Sequence, residues 1–187
     1  DVETGATSQG DATLSGAVYH IFDAWGNHVD TVTGDGPIAK SKLLVLGTYT
    51  IYEVQPPEGY NINMNPVVVH GDFEGQTVEI GRADTGIQDA VIKGQVAVAK
   101  FADKPLIGDA DDGGVKTPLA GVEFTLTLES TGEVACTIVT DEDGYAITPL
   151  LPYGTYRVEE TKGVDGYRNI RPFTVKIDTH SKIYKYI

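Results

Sequence analysis

The segment that decides the fold occurs twice in the chain, as GTYTIYEVQPPEGY at residues 47–60 and as GTYRVEETKGVDGY at residues 154–167. Successive side chains of a β-strand point to opposite faces, so alternation places Tyr156, Val158 and Glu160 on one face. If the tyrosine and the valine face the interior, the carboxyl group of Glu160 faces it too. A carboxyl group inside an apolar core is costly unless it has a partner, so the sequence raises the question of what that partner is.

Short runs of alternating apolar and polar residues recur along the whole chain, and clusters of Gly, Pro, Asp and Asn separate them. Helical periodicity is nearly absent. Many short strands at even spacing are typical of antiparallel sandwiches. The sequence therefore predicts an all-β protein.

A second pair of matching segments precedes the first pair. LSGAVYHIF at residues 14–22 matches LAGVEFTLT at residues 119–127, so the chain contains two copies of a module of roughly 105 residues. A period of this length fits whole domains in tandem better than a solenoid, whose units are shorter. We expect two immunoglobulin-like antiparallel β-sandwiches, at residues 1–90 and 91–187, with the boundary near residues 84–94.

The second copy has an additional strand at its start, GQVAVAKF, in which Val96, Val98 and Lys100 share one phase. If the two valines face the core, Lys100 continues the same inward row. The first copy opens at Asp1 without such a segment. We expect its leading strand to lie before Asp1, so that the first sandwich lacks its first strand in this sequence.

Lys100 and Glu160 are thus expected to point inward from two strands of one sandwich, and three interpretations are open. Both groups could lie at the edge of the core with their charged ends in solvent. They could form a buried salt bridge, which often adds little net stability because of desolvation. They could also react, because burial favours a neutral, nucleophilic amine and a neutral acid that transfers protons. An Asn or Asp side chain held against the amine would then become a lysine amide.

The segments TYTIYEVQPPEGY and TYRVEETKGVDGY resemble the E-box of Cna-B and SpaA-type (prealbumin-like) domains of Gram-positive surface proteins and pilins. LAGVEFTL, TDEDGYAITPLLPYGTY and LSGAVYHIFDAWGN resemble the same family, and the likeness covers nearly the whole chain twice. In this family a lysine on the first strand bonds to an Asn or Asp on the last strand, and the E-box glutamate catalyses the reaction. The resemblance implies that Lys100 is the lysine and that Glu160 and Glu53 are the catalytic acids.

The acceptor is not determined by the resemblance. In the second module the last strand, KIYKYI, ends with the sequence, and Asp178 is the nearest acidic candidate. Asn169 follows the E-box turn and is expected to stabilise that turn. In the first module Asp84 and Asp89 lie near the final strand, although both could equally be linker residues.

Composition excludes several other classes of function. The net charge of −13 argues against nucleic acid or an anionic membrane as a partner, and no apolar run reaches the length of a membrane helix. The single cysteine, Cys136, permits no internal disulfide and is predicted to be buried. The four histidines show no zinc spacing. The acidic loop DADDGG at residues 109–114 offers oxygen ligands for calcium, but its spacing does not follow an EF-hand loop, and a solvated acidic loop is the favoured interpretation. No cofactor motif is present, so we expect no cofactor and no metal.

The function that the resemblance implies is structural. We expect stalk modules of a cell-wall-anchored, extracellular adhesin or pilin-like protein, with self-catalysed Lys–Asn/Asp isopeptide cross-links. Such a protein would not be an enzyme beyond this single-turnover reaction, and it would be monomeric. The alternative is a ligand-binding adhesin module that recognises a host matrix protein or glycan, which a large exposed apolar or aromatic patch would favour.

Overall fold

The computed structural model describes residues 1–73, 83–102 and 116–187. Every regular element within these ranges is a β-strand. This confirms the predicted all-β fold. The chain divides into two compact units, Asp1–Val91 and Ile92–Ile187, hereafter unit 1 and unit 2.

In the described part of unit 1, four strands form one antiparallel sheet, in the order β2-β1-β3-β4. The strands are β1 (Val18–Asp23), β2 (His28–Thr33), β3 (Gly47–Gln55) and β4 (Val67–Gly71). The central strand β3 carries the first copy of the E-box segment. Its neighbour β1 carries the first copy of the segment that begins LSGAVYHIF.

The described residues of unit 2 form two main sheets and a small two-stranded ribbon. One sheet has the order β13-β12-β8-β9, and the other has β5 at its centre, antiparallel to β10 and β11 and parallel to β14. The strands are β5 (Lys93–Ala99), β6 (Phe101–Ala102), β7 (Thr117–Pro118), β8 (Glu123–Leu128), β9 (Val134–Val139), β10 (Tyr145–Ile147), β11 (Leu151–Pro152), β12 (Gly154–Lys162), β13 (Phe173–Ile177) and β14 (Ile183–Tyr186).

The four-stranded sheets of the two units correspond strand for strand. Strands β9, β8, β12 and β13 repeat the order of β2, β1, β3 and β4. The register is also the same, because Glu53 lies opposite Tyr19 on β1 and Glu160 lies opposite Phe124 on β8. The duplicated sequence therefore produces a duplicated placement of the E-box glutamate.

The core of unit 2 lies between its two main sheets. Strand β5 contributes Val96 and Val98, and both are almost completely buried. They pack in one apolar cluster with residues of the opposite sheet, which are Phe124, Leu126, Leu128, Ile138, Tyr156, Val158, Val175 and Ile177. Burial of each large side chain stabilises the fold by about 1.5–3 kcal/mol. Tyr156 and Val158 thus face the interior, as the alternation predicts.

Unit 1 has a smaller set of buried apolar residues among those that the structure describes. Ile21 and Val32 are buried on the sheet, and Tyr60 and Val91 are buried where the two residues form an isolated bridge. On β3, Tyr49 and Ile51 point to the same face as Glu53, and both are only half-buried. The inner face of this sheet is therefore incompletely covered by the described part of the unit.

A glycine fixes the backbone of Lys100, the residue that follows β5. Gly144 has φ of 73°, and its carbonyl accepts a hydrogen bond of 2.8 Å from the Lys100 N–H. A Cβ atom at this position would lie 2.4 Å from the backbone oxygen of Lys100. The turn before β10 can approach Lys100 this closely only because residue 144 has no side chain.

We predict that Gly144→Ala destabilises unit 2 more than Gly132→Ala does. Both glycines have a positive φ, of 73° and 75°, but a Cβ at Gly132 would meet no atom within 4 Å. In both variants, alanine in a left-handed backbone conformation should lower the free energy of unfolding by about 1–2 kcal/mol. Only Gly144→Ala adds a steric clash. Urea unfolding of the two variants measures the difference. Equal losses would contradict the tight contact with Lys100.

Candidate functional site: the buried carboxyl groups

The Glu160 carboxyl group is enclosed in the sandwich of unit 2. The residue lies near the end of β12 and is 5% exposed. Its Oε2 atom accepts hydrogen bonds from Lys100 Nζ at 3.0 Å and from the Ile170 backbone N–H at 2.9 Å. The carboxyl group therefore has both a charged and a neutral donor in an environment with almost no water.

The Lys100 side chain reaches Glu160 from the opposite sheet. Its backbone is held on both sides, because its N–H donates to Gly144 and its carbonyl accepts from the Leu119 N–H at 3.0 Å. The side chains of Lys100 and Glu160 are only 11% and 1% exposed. Of the three interpretations from the sequence, the one with both ends in solvent does not describe this pair. Glu159, one residue earlier, pairs with Arg157 at the surface instead.

Asn169 lies beside the same glutamate. Its Nδ2 atom donates to the Glu160 backbone carbonyl at 3.0 Å, which ties the chain after the E-box turn back to β12. A Cβ atom at Gly163 would lie 2.4 Å from Asn169 Oδ1 and 2.9 Å from Glu160 Oε1. The absence of a side chain at Gly163 thus lets both groups lie close to the end of β12.

Glu53 occupies the equivalent position in unit 1. It is 6% exposed, and its Oε2 atom accepts a hydrogen bond of 2.6 Å from the Asn63 N–H. Glu53 and Glu160 thus each accept from a backbone N–H ten residues later in the chain. Nothing in the sequence indicates these donors, because a backbone N–H is present at nearly every residue. No lysine or arginine of the described residues pairs with Glu53.

The side chain against Glu53 is Asp89, one of the two acceptor candidates of the first module. Asp89 is 7% exposed, and the two carboxyl groups are hydrogen-bonded when a proton lies between them. Without that proton, Oε1 of Glu53 and Oδ1 of Asp89 have no donor in the described part of the chain. Two acidic groups in this position must therefore share a proton or bind a cation.

Burial raises the pKa of Glu53 to about 7, and the nearby charge of Asp89 acts in the same direction while the Asn63 N–H opposes it. Burial also raises the pKa of Asp89, against the hydrogen bond from Glu53 and the positive α-amino group of Asp1. One of the two groups is consequently a neutral acid near neutral pH. A neutral carboxylic acid is the form that can transfer a proton or lose water on attack by an amine.

Two tyrosines and a further carboxyl group complete this cluster. The Tyr60 hydroxyl donates to Asp1 Oδ2 at 3.2 Å, and the pKa of Tyr19 is raised to about 12 by burial and by the charges of Glu53 and Asp89. A cavity of about 220 Å³ opens beside them, lined in part by Tyr19 and Asp89. The sequence did not predict a role for Tyr19, Tyr60 or Asp1. Tyr60 ends the E-box segment and Tyr19 lies in the repeat LSGAVYHIF, but a repeated segment does not indicate which group a hydroxyl contacts.

The remaining candidates lie elsewhere. Asp178 is on an exposed turn, where it accepts hydrogen bonds from the Tyr184 hydroxyl and from Thr179 Oγ1. Asp84 is exposed. Cys136 is half-buried on β9, where burial raises the pKa of its thiol.

The described residues contain no group of three or more His, Cys, Asp or Glu side chains placed to hold a metal ion. The acidic loop at 109–114 lies outside the described residues. None of the residues described here lies in a helix long and apolar enough to cross a membrane.

Each of the two sandwiches has a buried glutamate on its E-box strand, which is β3 in unit 1 and β12 in unit 2. This arrangement defines a class of tandem prealbumin-like modules. The model of the SpaA family, described as a prealbumin-like fold domain, matches this chain twice, at residues 4–84 and 109–187. The chain belongs to this family, and the resemblance found in the sequence is confirmed. No curated protein matches the sequence.

Solved structures show the same fold. The TIE protein of Bacillus anthracis is 28% identical to this chain with a TM-score of 0.74, over 100% of this chain and 32% of its own. The present chain thus spans about a third of that protein. A C-terminal fragment of the pilus adhesin SpaC from Lactobacillus rhamnosus GG is 18% identical with a TM-score of 0.53, over 94% of this chain and 78% of its own. This second likeness concerns the fold alone.

We predict that unit 1 loses stability as the pH rises through about 7, the pKa of Glu53 in the folded protein. Folded Glu53 binds its proton more tightly than the unfolded chain does, so its contribution is complete below about pH 4.5 and is lost above about pH 7. Glutamine has no titratable proton, so Glu53→Gln should remove this pH-dependent part of the free energy of unfolding, which is on the order of 1–3 kcal/mol. Hydrogen exchange of β3 amides at pH 5 to 8 measures the effect. An equal decline in the variant would show that other groups cause it.

We predict that Lys100→Met destabilises unit 2 by about 3–5 kcal/mol, because it leaves the Glu160 carboxyl group buried without its cation. The double variant Lys100→Met/Glu160→Gln should recover most of this loss. Arg157→Ala is the matched control, since its pair with Glu159 is on the same strand but 46% and 43% exposed. It should cost less than about 1 kcal/mol. Urea unfolding provides the measurement, and similar losses for Lys100→Met and Arg157→Ala would refute the importance of burial.

Proposed function

We propose that this chain is a structural segment of a Gram-positive cell-surface protein, in which each sandwich uses its E-box glutamate to promote a lysine amide cross-link. The observation that carries the proposal is the enclosed pair of Lys100 and Glu160, whose reactive atoms are 3.0 Å apart. Membership of the SpaA family supports an extracellular, wall-anchored role. Such modules hold a binding tip away from the cell rather than turn over a substrate.

The proposed chemistry in unit 2 assigns one role to each side chain. Lys100 is the nucleophile once its proton has passed to Glu160, which is already within hydrogen-bond distance. Glu160 then returns protons to the leaving group as the amide forms. The dry surroundings and the fixed backbone of Lys100 supply proximity and orientation. The acceptor in unit 2 is a carboxyl or carboxamide group that we do not assign, because the contacts of Asp178 are with Tyr184 and Thr179.

In unit 1 the geometry favours Asp89 over Asp84 as the acceptor. Asp89 is buried against Glu53 and is neutral or shares a proton with it, whereas Asp84 is exposed. The lysines of unit 1, Lys40 and Lys42, are both exposed. Lys42 lies 3.9 Å from Asp30 and thus belongs to a surface pair. We therefore assign Glu53 as the acid and Asp89 as the acceptor in unit 1. We do not assign either of its lysines as the nucleophile.

The role of such a bond is mechanical. An amide between first and last strands closes most of a sandwich into one covalent loop and limits the unfolded chain, much as a disulfide does. The sequence has one cysteine, so it cannot form an internal disulfide. A lysine amide would provide the equivalent constraint without a second cysteine and without sensitivity to reduction.

Intact-protein mass spectrometry tests the cross-link. Closure at Lys100 makes the chain lighter than its sequence by one ammonia for an Asn acceptor, or by one water for an Asp acceptor. Lys100→Arg and Glu160→Gln should each restore the full sequence mass, and peptide mapping of the wild type identifies the acceptor. A wild-type mass equal to that of the sequence would contradict a closed bond within these 187 residues.

A second candidate function is ligand binding by the outer face of the unit 1 sheet. His20, Phe22 and Tyr52 lie on this face, and the rings of Phe22 and Tyr52 are 5.6 Å apart in edge-to-face contact. Trp25, at the turn between β1 and β2, is 86% exposed. Exposed aromatic patches of this kind favour recognition of a host matrix protein or glycan. Failure to bind a glycan array and a panel of matrix proteins would exclude this candidate.

A further inference from the structure

Two of the four histidines form a pair on the outer face of the unit 1 sheet. The ring centres of His20 on β1 and His28 on β2 are 4.9 Å apart, with an angle of 67° between the ring planes. Phe22 lies beside both rings, and its ring centre is 5.4 Å from that of His28. His20 is half-buried and His28 is exposed. The pair therefore packs against an aromatic ring on one side and is open to solvent on the other.

A β-bulge brings His28 to this face. In the regular alternation of β2, His28 shares its phase with Val32, which is buried. The register between β1 and β2 shifts after Ile21, so that Phe22 lies opposite His28. The extra residue on β2 is Val29, and such a residue reverses the direction of the side chain beyond it. The bulge thus turns His28 outward, whereas alternation alone would turn it inward.

Unit 2 has the same bulge without the histidines. The register between β8 and β9 also shifts, so that Thr127 lies opposite Val134. The repeat aligns Thr125 with His20, and the bulge aligns Val134 with His28. The bulge therefore belongs to the fold, whereas the histidine pair is a feature of unit 1.

A hydrogen bond orients one ring nitrogen of His28. Its Nε2 atom is 3.0 Å from Thr31 Oγ1, and Thr31 lies opposite His20 on the sheet. When Nε2–H donates to this hydroxyl group, the lone pair of the neutral ring is on Nδ1, where it can bind a metal ion. Histidines that bind metals commonly donate their other N–H to a neighbouring group in a comparable way. His28 thus already has the supporting contact of a metal ligand.

The separation of the two rings fits the binding of both to one metal ion. A metal ion about 2.0–2.1 Å from a ring nitrogen lies about 3.2 Å from the centre of that ring. Two imidazoles bound at about 90–110° to each other then have centres roughly 4.5–5.2 Å apart. The observed separation of 4.9 Å lies within this range. Because His28 is exposed, its ring has room to turn Nδ1 toward the ion.

We propose that His20 and His28 form a binding site for a divalent transition-metal ion, with Cu²⁺ bound most tightly. Imidazole nitrogens suit Cu²⁺, Ni²⁺ and Zn²⁺, and Cu²⁺ has the highest affinity of the three. Two protein ligands leave open positions, which water fills at an exposed site. The net charge of −13 also favours a cation over an anion. Sequence spacing did not indicate this site, because only strand pairing and the bulge bring the two rings together.

A bound ion would join the edge strand β2 to its neighbour β1. An ion that binds the folded but not the unfolded chain stabilises the fold by mass action. The site is independent of the proposed cross-link, because His20 is on the face of β1 opposite to that of Tyr19, which lies across from Glu53. Failure of the cross-link would therefore leave the metal site unaffected.

The test titrates the full chain with Cu²⁺ and measures the heat of binding. Saturable binding is expected at micromolar Cu²⁺. His20→Ala and His28→Ala should each weaken it about 100-fold, since two linked ligands exceed either one alone by a factor of this order. His70→Ala is the matched control, because His70 is on β4 of the same sheet and is hydrogen-bonded to Thr48, and it should bind as the wild type does. Equal losses in His70→Ala and His28→Ala, or no saturable binding below millimolar Cu²⁺, would overturn the inference.

Electron paramagnetic resonance identifies the ligands. The Cu²⁺ spectrum of the wild-type chain should show coupling to two imidazole nitrogens, and the spectrum of either single variant to no more than one. A spectrum that His20→Ala leaves unchanged would overturn the assignment.

Unit 2 allows the site to be transplanted. In a chain that carries His20→Ala and His28→Ala, the further changes Thr125→His and Val134→His should restore tight Cu²⁺ binding at the equivalent bulge. Both positions are on the outer face of their sheet, and Val134 is 63% exposed. If the transplanted variant keeps the wild-type circular-dichroism spectrum but does not bind Cu²⁺, the role assigned to the bulge is overturned.

Discussion

The structure depends on one constraint, which is that a carboxyl group inside each sandwich must have a partner. In unit 2 the partner is the Lys100 ammonium group, reinforced by the Ile170 N–H. In unit 1 a backbone N–H is present at the same position, but the cation is replaced by the acidic proton shared with Asp89. The same glutamate position thus exists in two electrostatic states within one chain, an ion pair and a pair of carboxyl groups.

Strand register, rather than a local motif, brings these partners to the two glutamates. Because β3 and β12 have the same neighbours in the same register, Glu53 and Glu160 reach equivalent depths. The units differ in what covers that face. Strand β5 in unit 2 brings two core valines and Lys100 together on one row, so apolar packing and the placement of the amine depend on a single strand.

These features suit a structural module better than a catalyst. The paired side chains of Lys100 and Glu160 are enclosed, and the amine comes from the same unit as the glutamate. The outer faces of the sheets differ between the two units in the side chains that they expose. Unit 2 presents hydrogen-bonded threonines, with Thr125 bonded to Thr137 and Thr161, while unit 1 presents aromatic rings. If any part of this chain recognises a ligand, the aromatic face of unit 1 is the better suited surface.

The sequence by itself determined the all-β class, the duplication and the inward phase of Glu160 and Lys100, because these follow from alternation with a period of two and from repeated segments. It could not rank Asp89 above Asp84, since both lie in irregular backbone where no periodicity fixes the direction of a side chain. It also could not find the N–H groups of Asn63 and Ile170 or the hydroxyl groups of Tyr19 and Tyr60. Those contacts join residues far apart in the chain, and alternation fixes the face of a strand but not the groups that lie opposite. Only the tertiary structure decided that one buried glutamate meets a lysine and the other an aspartate.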